Sequence, residues 1–474
     1  MQKLRTTFIA LVLIITALAA QAQSFSNEVS GFIQYRQGNI VITDVKVIDG
    51  TGSPAKEHQW VLIENDRIAA IGKSTEIKIP EGATIIDGKG KTIIPGLVML
   101  HEHFYYTSLL ESFFNISQLP YTFPRMYLAA GVTTARTAGS IEPQTDLNIK
   151  RLIAEGKMTG PEFDVTAPYI ERPGFDIPAL NTIKDTAEAA ASVAFWSAKG
   201  CTSYKMYMHA TKEDLAVVVR EAHRRGQKVT GHIGAITYRE AASLGIDDLE
   251  HGFMASTDFV ADKKENELPQ GSRKSLMALD VNSPQMKELI QYLISKKVAL
   301  TSTLPVFEPY TGREIVHGGG IDALIPQVQD DLTKEWQGMQ NKDSASLALF
   351  KKELSWEKQF YDAGGLLVAG TDPTGAGRTI AGYSNYRQIE LLTEAGFTPL
   401  QAIKICTLNG AVYLNRAKDI GTVEKGKKAD IVLIDGDIEK NIKDIRKTIT
   451  VFKNGTGFDS QKMFASVKGK VGLY

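Results

Sequence analysis

The chain has 474 residues, too many for one ordinary core, so more than one domain is expected. With 43% hydrophobic and 23% charged residues, its composition is that of a soluble globular protein, which excludes fibrous and disordered classes. Lys+Arg and Asp+Glu balance at 54 each, so no basic face is implied and a nucleic-acid partner is not expected.

At the N-terminus, Lys3 and Arg5 precede the apolar run TTFIALVLIITALAA, which ends at Ala20-Gln21-Ala22. A positive start, an apolar middle and a small-x-small end read as a secretory signal peptide over residues 1–22. The run falls short of the roughly 20 residues a membrane span needs, which weighs against an uncleaved anchor. The mature chain is expected to be exported, periplasmic in a Gram-negative source, and without a membrane span. Cys201 and Cys406 both sit in apolar contexts and are expected to be buried free thiols rather than a disulfide framework.

Residues 23–95 read as short strands. NIVITDVKVIDG, WVLIENDRIAAIG and ATIIDGKGKTIIPG alternate or run apolar between Gly, Asp and Pro punctuation. From residue 96 to about 415 the pattern changes. Eight apolar or β-branched runs follow: LVMLHEH, GVTTARTAG, EFDVTAPYI, CTSYKMYMH, QKVTGHIG, IDDLEHGF, KVALTSTL and GGLLVAGTD. Segments of helical spacing lie between them, among them KEDLAVVVREAHRRG and SPQMKELIQYLISKK. Strand and helix alternating in this way predict an α/β fold, a (β/α)8 TIM-like barrel. An open doubly wound sheet would want a Gly-rich phosphate turn after its first strand, and the sequence has none there. Residues 416–474 return to β character. They are expected to join the N-terminal strands in a small β-sandwich domain built from both chain termini. The long polar connections 255–283 and 305–345 follow runs six and seven, where lids or surface insertions occur.

Placed on the eight runs, the residues that carry chemistry fall at strand ends. His101 and His103 close the first, and strand alternation points both to one face. Lys205 lies on the fourth, His232 on the fifth, His251 at the end of the sixth and Asp372 at the end of the eighth. That is the face on which barrel enzymes carry their catalysis. A lone histidine there is more often structural, but four of the eight histidines at three strand ends, with an Asp after the last, point to divalent metal such as zinc. One ion would take His101, His103 and Asp372, and a second His232 and His251. A cationic lysine repels metal. Carboxylated by CO2, Lys205 would become an anionic oxygen ligand bridging the two. A hydroxide would form the other bridge, because metal lowers the pKa of bound water to about 7. His58, His223 and His317 lie outside the pattern, and His209 is ambiguous.

With PGLVMLHEH, GVTTARTAG, YKMYMH, VTGHIG, LEHGF, AGTDP, LLTEAGFTPLQAIKICTLNGA and GTVEKGKKADIVLID in place, the chain resembles the amidohydrolase superfamily over nearly its whole mature length. The likeness is to the imidazolonepropionase-like and metal-dependent prolidase-like branch. It implies two divalent ions, expected to be zinc, with a carboxylated Lys205 as bridging ligand and Asp372 as general base and acid. The implied reaction is hydrolysis of an amide or peptide bond in a small molecule such as a dipeptide or N-acyl amino acid. Tyr207, Tyr105 and Arg136 are the expected substrate contacts, with Arg172 and Tyr106 as further candidates. Alternatives are a mononuclear deaminase, a lactone or carbamate hydrolase, and a non-catalytic binding protein; assembly into a homo-oligomer is left open. One departure stands out: the family commonly carries Asp where this chain has Met99, and Glu102, on the opposite face of the strand, is not expected to substitute for it.

Overall fold

The structure is a computed structural model that describes residues 24–110, 113–174, 180, 182–313, 319–339 and 344–472. The expected signal peptide and His317 lie outside the described residues. Among the described residues no helix is long and apolar enough to cross a membrane.

Each of the eight runs contains a strand, labelled in order: β1 (Leu97–Glu102), β2 (Val132–Thr137), β3 (Glu162–Asp164), β4 (Ser203–Met206), β5 (Lys228–Gly231), β6 (Asp248–Glu250), β7 (Ala299–Ser302) and β8 (Leu367–Ala369). They form a mixed α/β fold in two parallel groups, one joining β1, β2 and β3 and the other running from β4 to β8. Backbone hydrogen bonds link the groups. Ala167 and Ile170, beyond β3, donate to Ser203 and Lys205 on β4, each at 2.9 Å. Thr371 and Asp372, beyond β8, both donate to the carbonyl of His101 on β1, each at 3.0 Å.

The strands are short and buried on both faces, as apolar runs between helices dictate. The helix Lys212–His223 shows how the intervening segments cover them. Thr211 and Asp214 close a capping box at its start, and Leu215, Val218, Val219 and Ala222 bury one helical face. A Cβ at Gly370 would lie 2.3 Å from the Cβ of His101, so only glycine lets β8 come this close to β1.

Two features were not expected. A two-stranded hairpin, Tyr105–Leu110 with Phe113–Gln118, follows β1 directly. The long connections are not plain loops: they contain the helices Ser272–Ala278 and Pro326–Met339.

Strands from both chain ends hydrogen-bond into one nine-stranded sheet. Ile431–Ile434, from the C-terminal part, pairs antiparallel with Thr92–Pro95, from the N-terminal part. Its core is aliphatic, built on Ile40, Ile42, Val61, Ile63, Ile431 and Leu433. Cys201 and Cys406 are both buried and free.

Candidate functional site

The six expected ligand residues converge at the C-terminal ends of the parallel strands, His101 and Lys205 near the ends of their strands and the others just beyond. His101 Nε2 lies 3.7 Å from Asp372 Oδ2, and His103 Nε2 lies 3.3 Å from Asp372 Oδ1. The His251 ring is 4.6 Å from that of His101 and 4.4 Å from that of His232, centre to centre. One ligand atom each from His101, His251 and Asp372 falls within 4.8 Å of the others. Lys205, buried on β4, has its Nζ 5.5 Å from the Tyr169 ring and 6.0 Å from the Tyr207 ring.

Two of these residues reach the site by leaving strand geometry. Asp248 and Glu250 on β6 face inward, so alternation would turn His251 outward. His251 adopts a left-handed backbone, φ 69°, that brings it back to the inner face. Asp372 does the same after β8, at φ 48°. Such backbone costs of order 1–3 kcal/mol and persists only where its surroundings enforce it. Tyr238 supplies part of that enforcement, since its hydroxyl donates to the carbonyls of Glu250 and Gly252 at 3.2 and 2.9 Å.

The electrostatics suit ion binding. Burial, reinforced by Lys205, lowers the His232 ring to about 3. Burial also lowers His101 to about 4, against the opposing pull of Glu250. Burial raises the Asp372 carboxyl, but the facing His101, His103 and His251 outweigh it and hold it well below the usual range. At neutral pH the cluster therefore presents imidazole lone pairs and one carboxylate. The buried Nε2 of His101 has no hydrogen-bond partner. A divalent cation fits this donor set, and nitrogen with carboxylate oxygen is the chemistry zinc takes.

A cavity of about 600 Å³ opens above the cluster. His232, His251 and Asp372 form its floor, and the expected Tyr105 and Tyr207 line it. Tyr169, missed in the sequence, joins them through a 2.6 Å contact between its hydroxyl and that of Tyr105. The opposite wall is apolar, with Met254, Val306, Phe307, Leu349 and Phe350. Arg273 is the one Lys or Arg among the described residues that line it.

Arg136 is not brought to the cavity. It is buried beneath the floor, where Nη2 donates to Asp248 and Glu250 at 2.9 Å each, Nε to the Leu100 carbonyl and Nη1 to the Tyr413 hydroxyl. With its donors directed inward, it serves as a counter-ion rather than a substrate clamp. Arg172 is held by Asp214 in a two-point contact at 2.8 and 2.7 Å, and the Tyr106 hydroxyl donates to Gly377. Glu102 faces away from the cluster as expected: it accepts from Thr371 and Asn385, and burial lifts it to about 8. His209 lies 3.6 Å from Glu171, away from the cluster.

Glu250 is the residue that sequence reasoning missed. It is fully buried, and its Oε2 contacts His101 Nδ1 and lies 3.9 Å from Lys205 Nζ. The readable signal was the pair of acids in DLEHG, two residues apart on one buried strand face and just before a histidine.

An amidohydrolase family model matches residues 357–457. An imidazolonepropionase of Geobacillus sp. (strain WCH70) is 23% identical over 394 residues, covering 80% of this chain and 84% of that one. Among solved structures, a Xaa-Pro dipeptidase with methionine bound in its active site superposes with TM-score 0.66 at 18% identity, covering 89% of this chain and 100% of that one. Phenylurea hydrolase B superposes with TM-score 0.65 at 20% identity, over 90% and 97% of the two chains. In sequence and fold the chain is thus similar to the amidohydrolase superfamily, in its imidazolonepropionase- and prolidase-like branch.

Proposed function

We propose that the chain is an exported, metal-dependent amidohydrolase that cleaves an amide or peptide bond in a small substrate carrying a bulky apolar group. The observation that carries this reading is the convergence of four histidines, Lys205 and Asp372 beneath one largely apolar cavity. The names of the relatives agree with it, since imidazolonepropionase and Xaa-Pro dipeptidase are both names for activities at carbon–nitrogen bonds. In this reading β1 to β8 close a (β/α)8 barrel over residues 96–415. Residues 23–95 and 416–474 form a β-sandwich beside it, and the signal peptide directs the chain to the periplasm.

His101, His103 and Asp372 would hold one divalent ion and His232 and His251 a second, with zinc as the expected metal. Lys205, carboxylated, would bridge them. Burial lowers the Lys205 pKa, favouring the neutral amine that reacts with CO2. The ions would supply Lewis acidity, ionising a water near neutral pH and polarising the scissile carbonyl. The protein does the rest. Asp372, ionised, takes the proton of the attacking water and delivers it to the leaving nitrogen. The Tyr207 ring, 5.2 Å from that of His232, stands where its hydroxyl can donate to the substrate carbonyl. The apolar wall around Phe307 and Phe350 excludes water and receives the substrate's side group.

The test is a panel of dipeptides and N-acyl amino acids assayed with zinc or manganese and bicarbonate, alongside metal content per chain. Hydrolysis with two equivalents of metal is expected, and a panel left intact by metal-loaded protein overturns the reading. A deaminase with one ion is the rival, and the compact trio of His101, His251 and Asp372 favours it. Against it, Glu240, the first glutamate after His232, is engaged in capping a helix through Thr237. One equivalent of metal with ammonia release from an amino-heterocycle would decide for the rival.

A further inference from the structure

A histidine that binds metal through one ring nitrogen is normally oriented through the other. Two histidines of the cluster follow this rule. His103 Nδ1 lies 3.2 Å from the Gly139 carbonyl, and His251 Nδ1 lies 2.9 Å from Thr303 Oγ1. For His101 the obvious partner is missing. Met99, two residues before it and on the same strand face, is a fully buried thioether in the apolar core, and a thioether accepts only weakly.

A carboxylate arrives instead from another strand. We propose that Glu250, on β6, is the positioning residue for His101, doing from across the site what Met99 on β1 cannot. The two oxygens of Glu250 have separate tasks. Oε1 accepts from Arg136 at 2.9 Å and from Thr230. Oε2 has no partner below the floor and is aimed at His101 Nδ1. A carboxylate only accepts, so His101 carries its hydrogen on Nδ1 and turns the Nε2 lone pair toward Asp372. Arg136 completes the device. Anchored by Leu100, Tyr413 and Asp248, it fixes the far end of the fully buried Glu250 carboxylate. Lys205, 3.9 Å from the same oxygen, is held in register with His101 by this one carboxylate.

The inference rests on the reading of His101 as a metal ligand, and its test separates the two. Mature protein labelled with ¹⁵N-histidine is compared with Glu250→Gln and Glu250→Asp, metal-free and titrated with zinc against a chelator. In the metal-free wild type, His101 is expected as the Nδ1–H tautomer. In Glu250→Gln the amide oxygen stays with the Arg136 and Thr230 donors and the NH2, itself a donor, faces Nδ1, so that tautomer is lost and zinc binding weakens by about 10- to 100-fold. Glu250→Asp keeps the pair with Arg136 but falls one methylene short of His101, and shifts both readouts the same way by less; it carries the test if Glu250→Gln does not fold. A His101 spectrum and zinc affinity unchanged in the folded variants overturn the proposal, even if melting temperature falls, because a merely structural role moves stability alone. If the wild type binds no zinc, the proposed function fails, while the metal-free spectrum still decides the role of Glu250.

Discussion

The two sheet systems of this protein bury opposite kinds of interior. The terminal sheet packs Ile40, Ile42, Val61, Ile63, Ile431 and Leu433 against one another in an aliphatic core. The parallel strands enclose Arg136, Lys205, Asp248 and Glu250, all at or near zero exposure, under a cluster of histidines. Buried charge costs several kcal/mol per ion and is repaid only by close pairing, so a charged interior is a poor way to gain stability. An aliphatic interior gains by simple area burial. The aliphatic interior lies away from the histidine cluster, and the costly charged one lies directly beneath it.

Breaking the comparison at its most functional point should have the largest effect. Asp372→Asn is expected to lower kcat by about 10²- to 10⁴-fold on the best substrate of the panel, the range for loss of a general base; unchanged turnover would remove Asp372 from the proton path. Arg136→Met leaves Asp248 and Glu250 buried without their counter-ion and should cost about 3–5 kcal/mol in denaturant unfolding. A loss under about 1 kcal/mol would mean that the network is not ionised. The acid side sharpens the contrast next. Well above pH 6.5 the rings of His101 and His232 are neutral in both states. Below it the unfolded chain takes protons that the buried rings, lowered to about 4 and about 3, refuse. Metal-free protein should therefore lose stability between pH 6.5 and 4, and His232→Asn should blunt the fall in melting temperature between pH 7 and 5. The smallest effect belongs to the terminal sheet. Ile63→Val should cost about 0.5–1.5 kcal/mol and leave kcat/KM unchanged.

Much of the histidine and aspartate cluster was legible because strand ends carry their own signature. His101 and His103 announce a shared face by spacing alone, and Asp372 follows an apolar run that can only be a buried strand. What stayed hidden was who faces whom across the site. Arg136 at the end of a strand looks like a clamp for a substrate carboxylate; its real partners, Asp248 and Glu250, lie 112 and 114 residues further on. Alternation correctly separates Glu102 from its neighbouring histidines but misplaces His251, because a single left-handed residue reverses the face. The hairpin after β1 is masked by the two histidines, which look like a strand end although extended backbone resumes at Tyr105 and Tyr106.

The carbonyl of His101 accepts from both Thr371 and Asp372, and Thr371 in turn donates to Glu102 across 269 positions of sequence. First and last strands are thus tied together at the residues that would hold metal. Closing so long a loop is slow, and little rewards it until the far strand arrives. A partly synthesised chain has the histidine pair of β1 but not its carboxylate. Any loading with metal would therefore be a late event in the life of the molecule, and an ion held there would certify that the strands from β1 to β8 have come together.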